Sequence, residues 1–152
     1  MWTREFFIKC LREKGLKVTP QRLAIIDMMI EKGHLHPSAG LVFEEARKKL
    51  SGLSLSTVYA TLQEFYGRGI FKKLEFDRME NRFDRNVNEH LHLICRKCGN
   101  ILDFPLPDRL DNSELERISG FKITDSRLEY YGICGECREI GRNDAASPAE
   151  RK

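Results

Sequence analysis

Residues 54–84 read SLSTVYATLQEFYGRGIFKKLEFDRMENRFD, and a change of period inside this stretch decides the fold. Val58, Leu62 and Phe65 recur at helical spacing behind a Ser54 or Ser56 cap, and Gly67 and Gly69 end the helix. The pattern then becomes that of strands over residues 70–76 and 81–84, about the charged turn Asp77-Arg78-Met79-Glu80. Working back, Pro37-Ser38 opens a helix with Leu41, Val42, Ala46 and Leu50 facing inward, ending before Gly52. Thr19 supplies a capping oxygen and Pro20 a preset φ for another, with Leu23, Ile26 and Ile30 as its stripe and Gly33 as its end. Thr3 caps a first helix that runs to Lys14, stops at Gly15 and carries Phe6, Phe7, Cys10 and Leu11 on one face. Helices followed by a two-stranded hairpin make a winged helix-turn-helix, with residues 54–66 as the recognition helix.

Beyond the hairpin the chain is mostly strand. Residues 91–95 and 101–104 flank the turn Arg96-Lys97-Cys98-Gly99-Asn100. A helix is expected over 108–119, with Leu110, Leu115 and Ile118 apolar, and a strand over 121–131. Residues 139–152 are polar and Ala/Pro-bearing and read as a frayed tail. The fold class is α+β.

A chain of 152 residues suits one large domain or two small ones, and 41% apolar with 32% charged residues is a globular mix. No apolar run approaches the roughly 20 residues of a membrane span. Residues 1–14 carry charges throughout and have no apolar signal core, so a cytoplasmic protein is expected. Net charge is +3, and the basic bias lies in the helical half. Residues 1–80 hold 14 Lys/Arg against 10 Asp/Glu, and residues 81–152 hold 12 against 13.

Four of the five cysteines form two C-x-x-C pairs, Cys95 with Cys98 and Cys134 with Cys137, separated by 35 residues. In a cytosolic chain this pattern favours metal over disulfides, and four thiolates suit tetrahedral zinc. Such a site staples the end of a small domain to its start, which matters where roughly 60 residues bury a marginal core. The spacing exceeds that of a simple zinc ribbon. Two unrelated pairs of buried thiols are the alternative. Cys10 reads as a core residue of the first helix.

The histidines fall in two places, His34 with His36 and His90 with His92. On a strand His90 and His92 project together, while Leu91, Leu93 and Cys95 point the other way. Asp84 lies just before and Asp103 on the neighbouring strand. Imidazole with carboxylate suits Fe(II), Mn(II) or Zn(II) better than Mg(II) or Cu(I). The same residues also fit an ordinary polar face. His34 reads as a solvated loop residue. For nucleic acid, Ser54, Ser56, Thr57, Tyr59 and Gln63 offer hydrogen-bonding groups on the recognition helix. Lys14, Lys17, Arg22, Arg68, Lys72 and Lys73 suit phosphates. A helical bundle with a solvated charged surface is the alternative.

The motifs GLKVTPQR (15–22), HPSA (36–39), STVY (56–59), NRFD (81–84), HLHLICRKCG (90–99) and LEYYGIC (128–134) stand in an order and spacing that resemble the ferric uptake regulator family of bacterial metal-dependent repressors. The resemblance covers residues 5–139. It implies a winged-helix DNA-binding domain at 1–80, a hinge at 81–88, a small α/β dimerisation and metal-binding domain at 89–140 and a flexible tail at 141–152. It implies structural zinc on Cys95, Cys98, Cys134 and Cys137, and regulatory Fe(II) or Mn(II) on His36, Asp84, His90, His92 and Asp103. The implied partners are double-stranded operator DNA and a second copy of the chain, with no membrane and no turnover enzyme. Asp at both 84 and 103, where the iron- and zinc-uptake branches often carry Glu, resembles the peroxide-sensing branch. There bound iron reacts with hydrogen peroxide and oxidises a ligand, and His36 and His90 match the oxidised residues. A metal-availability sensor for iron, zinc or manganese, without peroxide chemistry, is the alternative. A metal-dependent hydrolase is a third class, but no nucleophile or general base stands out beside these ligands. Two features depart from the family pattern. Thr124-Asp125-Ser126 replace a stretch in which many relatives carry a histidine of a further metal site, leaving Glu89 and Asp125 as weak candidates there. Ala60 stands where many relatives have Arg or Asn.

Overall fold

The computed structural model describes residues 1–107 and 112–146, and the chain forms two units, Met1–Val87 and Asn88 onward. The first unit contains α1 (Arg4–Glu13), α2 (Pro20–Lys32), a 3-10 turn (Gly33–Leu35), α3 (Ala39–Ala46), α4 (Leu55–Gly67), β1 (Lys72–Leu74) and β2 (Arg82–Asp84). Each of its four α-helices starts at a hydroxyl cap. Thr3, Thr19, Ser38 and Ser54 accept from the backbone N–H of Phe6, Arg22, Leu41 and Thr57 at 3.2–3.3 Å. Gly69, at φ 70°, ends α4 in a Schellman arrangement, with Ile70 N–H on Phe65 O (2.9 Å) and Gly69 N–H on Tyr66 O (3.0 Å). The chain thereby reverses directly into β1, which pairs antiparallel with β2 (Lys72 opposite Asp84, Leu74 opposite Arg82). The result is a winged helix-turn-helix.

Its core gathers Phe7 and Leu11 from α1, Ile25, Ile26 and Met29 from α2, Val42 and Ala46 from α3, Val58, Leu62 and Phe65 from α4, and Phe71 and Phe83. Phe71 stands edge-on between Phe7 (5.6 Å) and Phe65 (5.4 Å). Several sequence expectations need correction. Phe6 is exposed, because the inward stripe is Phe7 and Leu11, four residues apart, and Cys10 is only half-buried. α3 ends at Ala46, well short of Gly52, where Lys49 N–H and Leu50 N–H both turn back onto Ala46 O. The strands are shorter than 70–76 and 81–84. Residues 81–87, expected in a hinge, belong to the first unit, because β2 completes the hairpin.

The second unit contains β3 (Leu91–Cys95), β4 (Ile101–Phe104), α5 (Asn112–Ser119), β5 (Leu128–Gly132) and α6 (Gly135–Ala146). β3 is central, antiparallel to β4 and parallel to β5. Leu91, Ile94, Cys95 and Ile101 are buried. Residues 108–111, with Leu110, lie outside the described residues, and Leu115 and Ile118 of α5 are exposed. The strand expected over 121–131 begins only at Leu128, since pairing starts opposite Leu91, where β3 itself starts. The expected tail is helical as far as Ala146, while residues 147–152 lie outside the described residues. Polar composition suggested fraying, but Arg138 N–H on Cys134 O (3.0 Å) anchors a helix there.

Phe71→Ala is expected to destabilise the first unit by about 3–5 kcal/mol, as for other buried phenylalanines. Urea unfolding followed by far-UV circular dichroism measures it, and a midpoint equal to wild type would contradict this core.

Candidate metal centres and nucleic-acid face

The turn after β3 and the corner between β5 and α6 bring four sulfurs together. The Sγ atoms of Cys95, Cys98, Cys134 and Cys137 all lie within 4.8 Å of one another, and Cys98 Sγ is 3.8 Å from Cys134 Sγ. Four thiolates at Zn–S distances near 2.3 Å have edges of about 3.8 Å, so the donor set fits tetrahedral zinc. The backbone prepares this grouping. Arg96 N–H on Gly132 O (2.8 Å) ties the turn to the end of β5, and Gly99, at φ 74°, returns its N–H to Cys95 O (2.9 Å). The N–H of Cys134 points at Cys95 Sγ (3.3 Å). That contact, followed by the N–H of Cys98, lowers the Cys95 pKa to about 6. Cys137 faces the Cys134 sulfur and is buried, which pushes it up to about 12. A bound cation replaces the protons such a cluster otherwise retains.

The other end of β3 carries imidazoles. Register places Asp103 of β4 directly opposite His92. Its Oδ1 is 3.3 Å from His92 Nε2 and 3.2 Å from His90 Nε2, and the two Nε2 atoms are 2.9 Å apart. Neighbouring ligands on an octahedral ion with bonds near 2.1 Å are separated by about 3 Å, so these three donors fit one face of such a site. His90 Nδ1 lies 2.7 Å from Asn88 O, and a carbonyl can only accept. A proton on Nδ1 would meet that carbonyl, and the contact turns Nε2 toward Asp103 and His92. Cys95, at the far end of the strand, belongs to the thiolate cluster instead.

The first unit holds His36 and Asp84, both buried, with His36 Nε2 3.7 Å from Asp84 Oδ2. His36 has φ 49° and ψ 68°, a left-handed conformation that costs a non-glycine residue about 1–2 kcal/mol. No other non-glycine among the described residues has a positive φ. The segment after it is fastened to β2 by Phe83 N–H on Pro37 O (2.9 Å). Asp84 Oδ1 accepts from Asn86 N–H (2.8 Å), which orients the carboxylate. His34 is exposed on the 3-10 turn. Glu89 is held by Asn112 Nδ2 (2.9 and 3.0 Å) and the Ser126 hydroxyl (3.4 Å), and Asp125 accepts from Ser126 N–H (2.9 Å).

On α4, Ser56, Thr57 and Tyr59 are exposed beside Ala60, and Gln63 is half-buried with Lys73 Nζ 3.4 Å from its Oε1. Ser54 serves as the cap. Arg22 is turned inward, with Nη2 on Glu64 Oε2 (2.8 Å) and Nη1 on Lys17 O (2.6 Å), so its charge braces α2 against α4. Lys14 is exposed and its carbonyl accepts from Arg68 (3.2 Å). Two structural arginines, Arg82 and Arg85, escaped the sequence reading, because the carbonyls they reach lie far back in the chain.

A winged helix joined to an α/β unit with a four-thiolate centre defines a class of metal-dependent regulator. The sequence model described as "Ferric uptake regulator family" matches residues 13–131, and the chain belongs to that family. It is 40% identical over 136 residues to the Peroxide-responsive repressor PerR of Staphylococcus epidermidis, covering 88% of this chain and 89% of that protein. The Helicobacter pylori ferric uptake regulator Fur, whose structure is described as revealing three functional metal binding sites, matches with a TM-score of 0.70 at 25% identity, covering 88% of this chain and 90% of that one. The Campylobacter jejuni peroxide stress regulator matches with a TM-score of 0.68 at 26% identity, covering 88% and 97%.

Cys95→Ser and Cys137→Ser are each expected to lose the zinc and unfold the second unit, while the first unit keeps its helices. Zinc quantification with amide exchange of both units measures this, and a zinc-free second unit with native protection would refute it.

Proposed function

We propose that this chain is a dimeric, metal-dependent transcriptional repressor that senses hydrogen peroxide through Fe(II) bound by His36, Asp84, His90, His92 and Asp103. Donor chemistry carries the reading: each unit offers imidazole beside aspartate, with no thiol among these donors, while four thiols are gathered into a separate cluster. Similarity to the peroxide-responsive repressor of S. epidermidis supports it. Two donors from the first unit are too few to hold an ion, and the three from the second leave it half-clad. Five protein donors would leave one of the six positions of an octahedral ion to a further ligand such as peroxide.

Residues 1–87 read operator DNA in the cytoplasm, with Ser56, Thr57, Tyr59 and Gln63 toward base edges and Lys14 toward phosphate. Ser54 and Arg22 hold the recognition helix. Residues from 88 onward pair two copies. Ligands drawn from both units fix the orientation of the DNA-reading helices, and a metal at 100 times its Kd favours that state by about 2.7 kcal/mol when the open state does not bind it. Iron, when bound, would supply the reductive cleavage of the peroxide O–O bond beside its own ligands. One oxygen would add to a ring carbon of His36 or His90, which gives up two electrons overall, and the other would leave as water. The oxidised ring would donate more weakly, and the repressor would leave DNA. With Mn(II) the same donors support DNA binding and stay unmodified. The protein consumes its own side chains in the response, so it is not a turnover enzyme.

The test is peptide mass spectrometry after anaerobic Fe(II) loading and one brief peroxide pulse, with Mn(II)-loaded protein as control. One added oxygen on a His36 or His90 peptide is expected in the iron sample alone. Unmodified histidines with retained binding to DNA selected from a random pool would instead make the chain a metal-availability sensor. His36→Ala and His90→Ala should each abolish metal-dependent DNA binding and leave the zinc content unchanged.

A further inference from the structure

Two arginines flank Phe83 and Asp84, and both reach back to the same short segment. Arg82 Nη2 donates to Leu35 O (2.8 Å), and its Nε donates to His36 O. Arg85 Nη1 donates to Met29 O (3.0 Å) and to Ile30 O, two carbonyls near the end of α2. Met29 O also accepts the Gly33 N–H that closes α2, so Arg85 adds a second donor there, and a fixed cation suits the negative end of the helix dipole. The Arg85 guanidinium also lies 5.9 Å from the Trp2 ring. Its stem passes directly over Gly33, where a Cβ would come within 2.7 Å of Arg85 Cδ. The backbone adds Phe83 N–H on Pro37 O and a bridge between Ser38 and Arg82. The path from the end of α2 through the left-handed His36 is therefore gripped on both sides by the strand segment that carries Asp84.

We propose that Arg82 and Arg85 are positioning residues that clamp the His36 turn onto the Asp84 strand, so that this half-site is set before metal arrives. The inference rests on the reading of His36 and Asp84 as regulatory ligands. Neither arginine can ligate a cation. Each acts through the carbonyls it holds, and guanidinium suits the task because its planar fork stays charged when half-buried. Donors already in place lose less freedom on binding, so the clamp tightens metal affinity without touching metal.

The experiment uses the full chain with its zinc retained. Mn(II) affinity is measured by chelator competition, and amide exchange of residues 33–36 is measured in the same protein before Mn(II) is added. Arg82→Met and Arg85→Met are each expected to weaken Mn(II) binding by about 10-fold to 100-fold, the range for partners that orient metal ligands, and to speed exchange at 33–36. Gly33→Ala displaces the Arg85 stem without deleting it and is expected to act in the same direction. It decides the matter if an arginine variant fails to fold. Wild-type affinity in the folded variants, with or without faster exchange, overturns the proposal. His36→Ala and Asp84→Ala serve as controls, and wild-type Mn(II) affinity in both would overturn the ligand assignment instead.

Discussion

β5 runs parallel to β3, so the chain must travel from Cys95 to Leu128 before the two strands can pair. A parallel pair has no tight turn to hold its ends together, and the entropy of that closure must be offset by something else. The apolar core of the second unit is small. Among the described residues its buried aliphatic positions are Leu91, Ile94 and Ile101, each worth about 1.5–3 kcal/mol, and the buried Cys95 and Cys137 belong to the thiolate cluster. Structural zinc in small peptides contributes about 10–16 kcal/mol, more than such a core. The four sulfurs lie where the crossover closes, between the turn after β3 and the corner after β5. The parallel register of β5 on β3 depends on that closure.

The first unit is built differently. Its contacts are those of adjacent helices with local caps, and its aromatic centre needs no metal. This contrast explains which parts were legible in the sequence. Thr19-Pro20, Ser38 and Ser54 announce helix starts because a cap is a matter of three residues. The hairpin of β3 and β4 was legible to the residue, because the turn from Arg96 to Asn100 fixes its register. That register in turn brings Asp103 to the imidazoles. The four cysteines were legible from spacing alone.

Other features depended on distant partners or on context. Residues 121–127 have the composition of a strand, but among the described residues no strand pairs with them. α6 has the composition of a tail but begins at a cysteine corner that organises its first turn. Arg22 looks like a phosphate ligand until Glu64, 42 positions later, claims it. Arg82 and Arg85 bind carbonyls 46 to 56 positions earlier in the chain, and no local pattern records such a contact. His36 looked like one histidine among four. Its left-handed backbone becomes evident only once β2 is in place behind it.

The parallel crossover also orders events during synthesis. The helices and wing of the first unit are complete once residue 87 has left the ribosome, and all of their contacts are then available. The second unit must wait. β3 and β4 can form a hairpin early, but two of the four sulfurs lie beyond the crossover, at positions 134 and 137. Until they emerge, Cys95 and Cys98 are an open pair of thiols exposed to oxidants and competing metals. For this chain, the four-sulfur cluster can be completed only after the helices and wing of the first unit have all their residues.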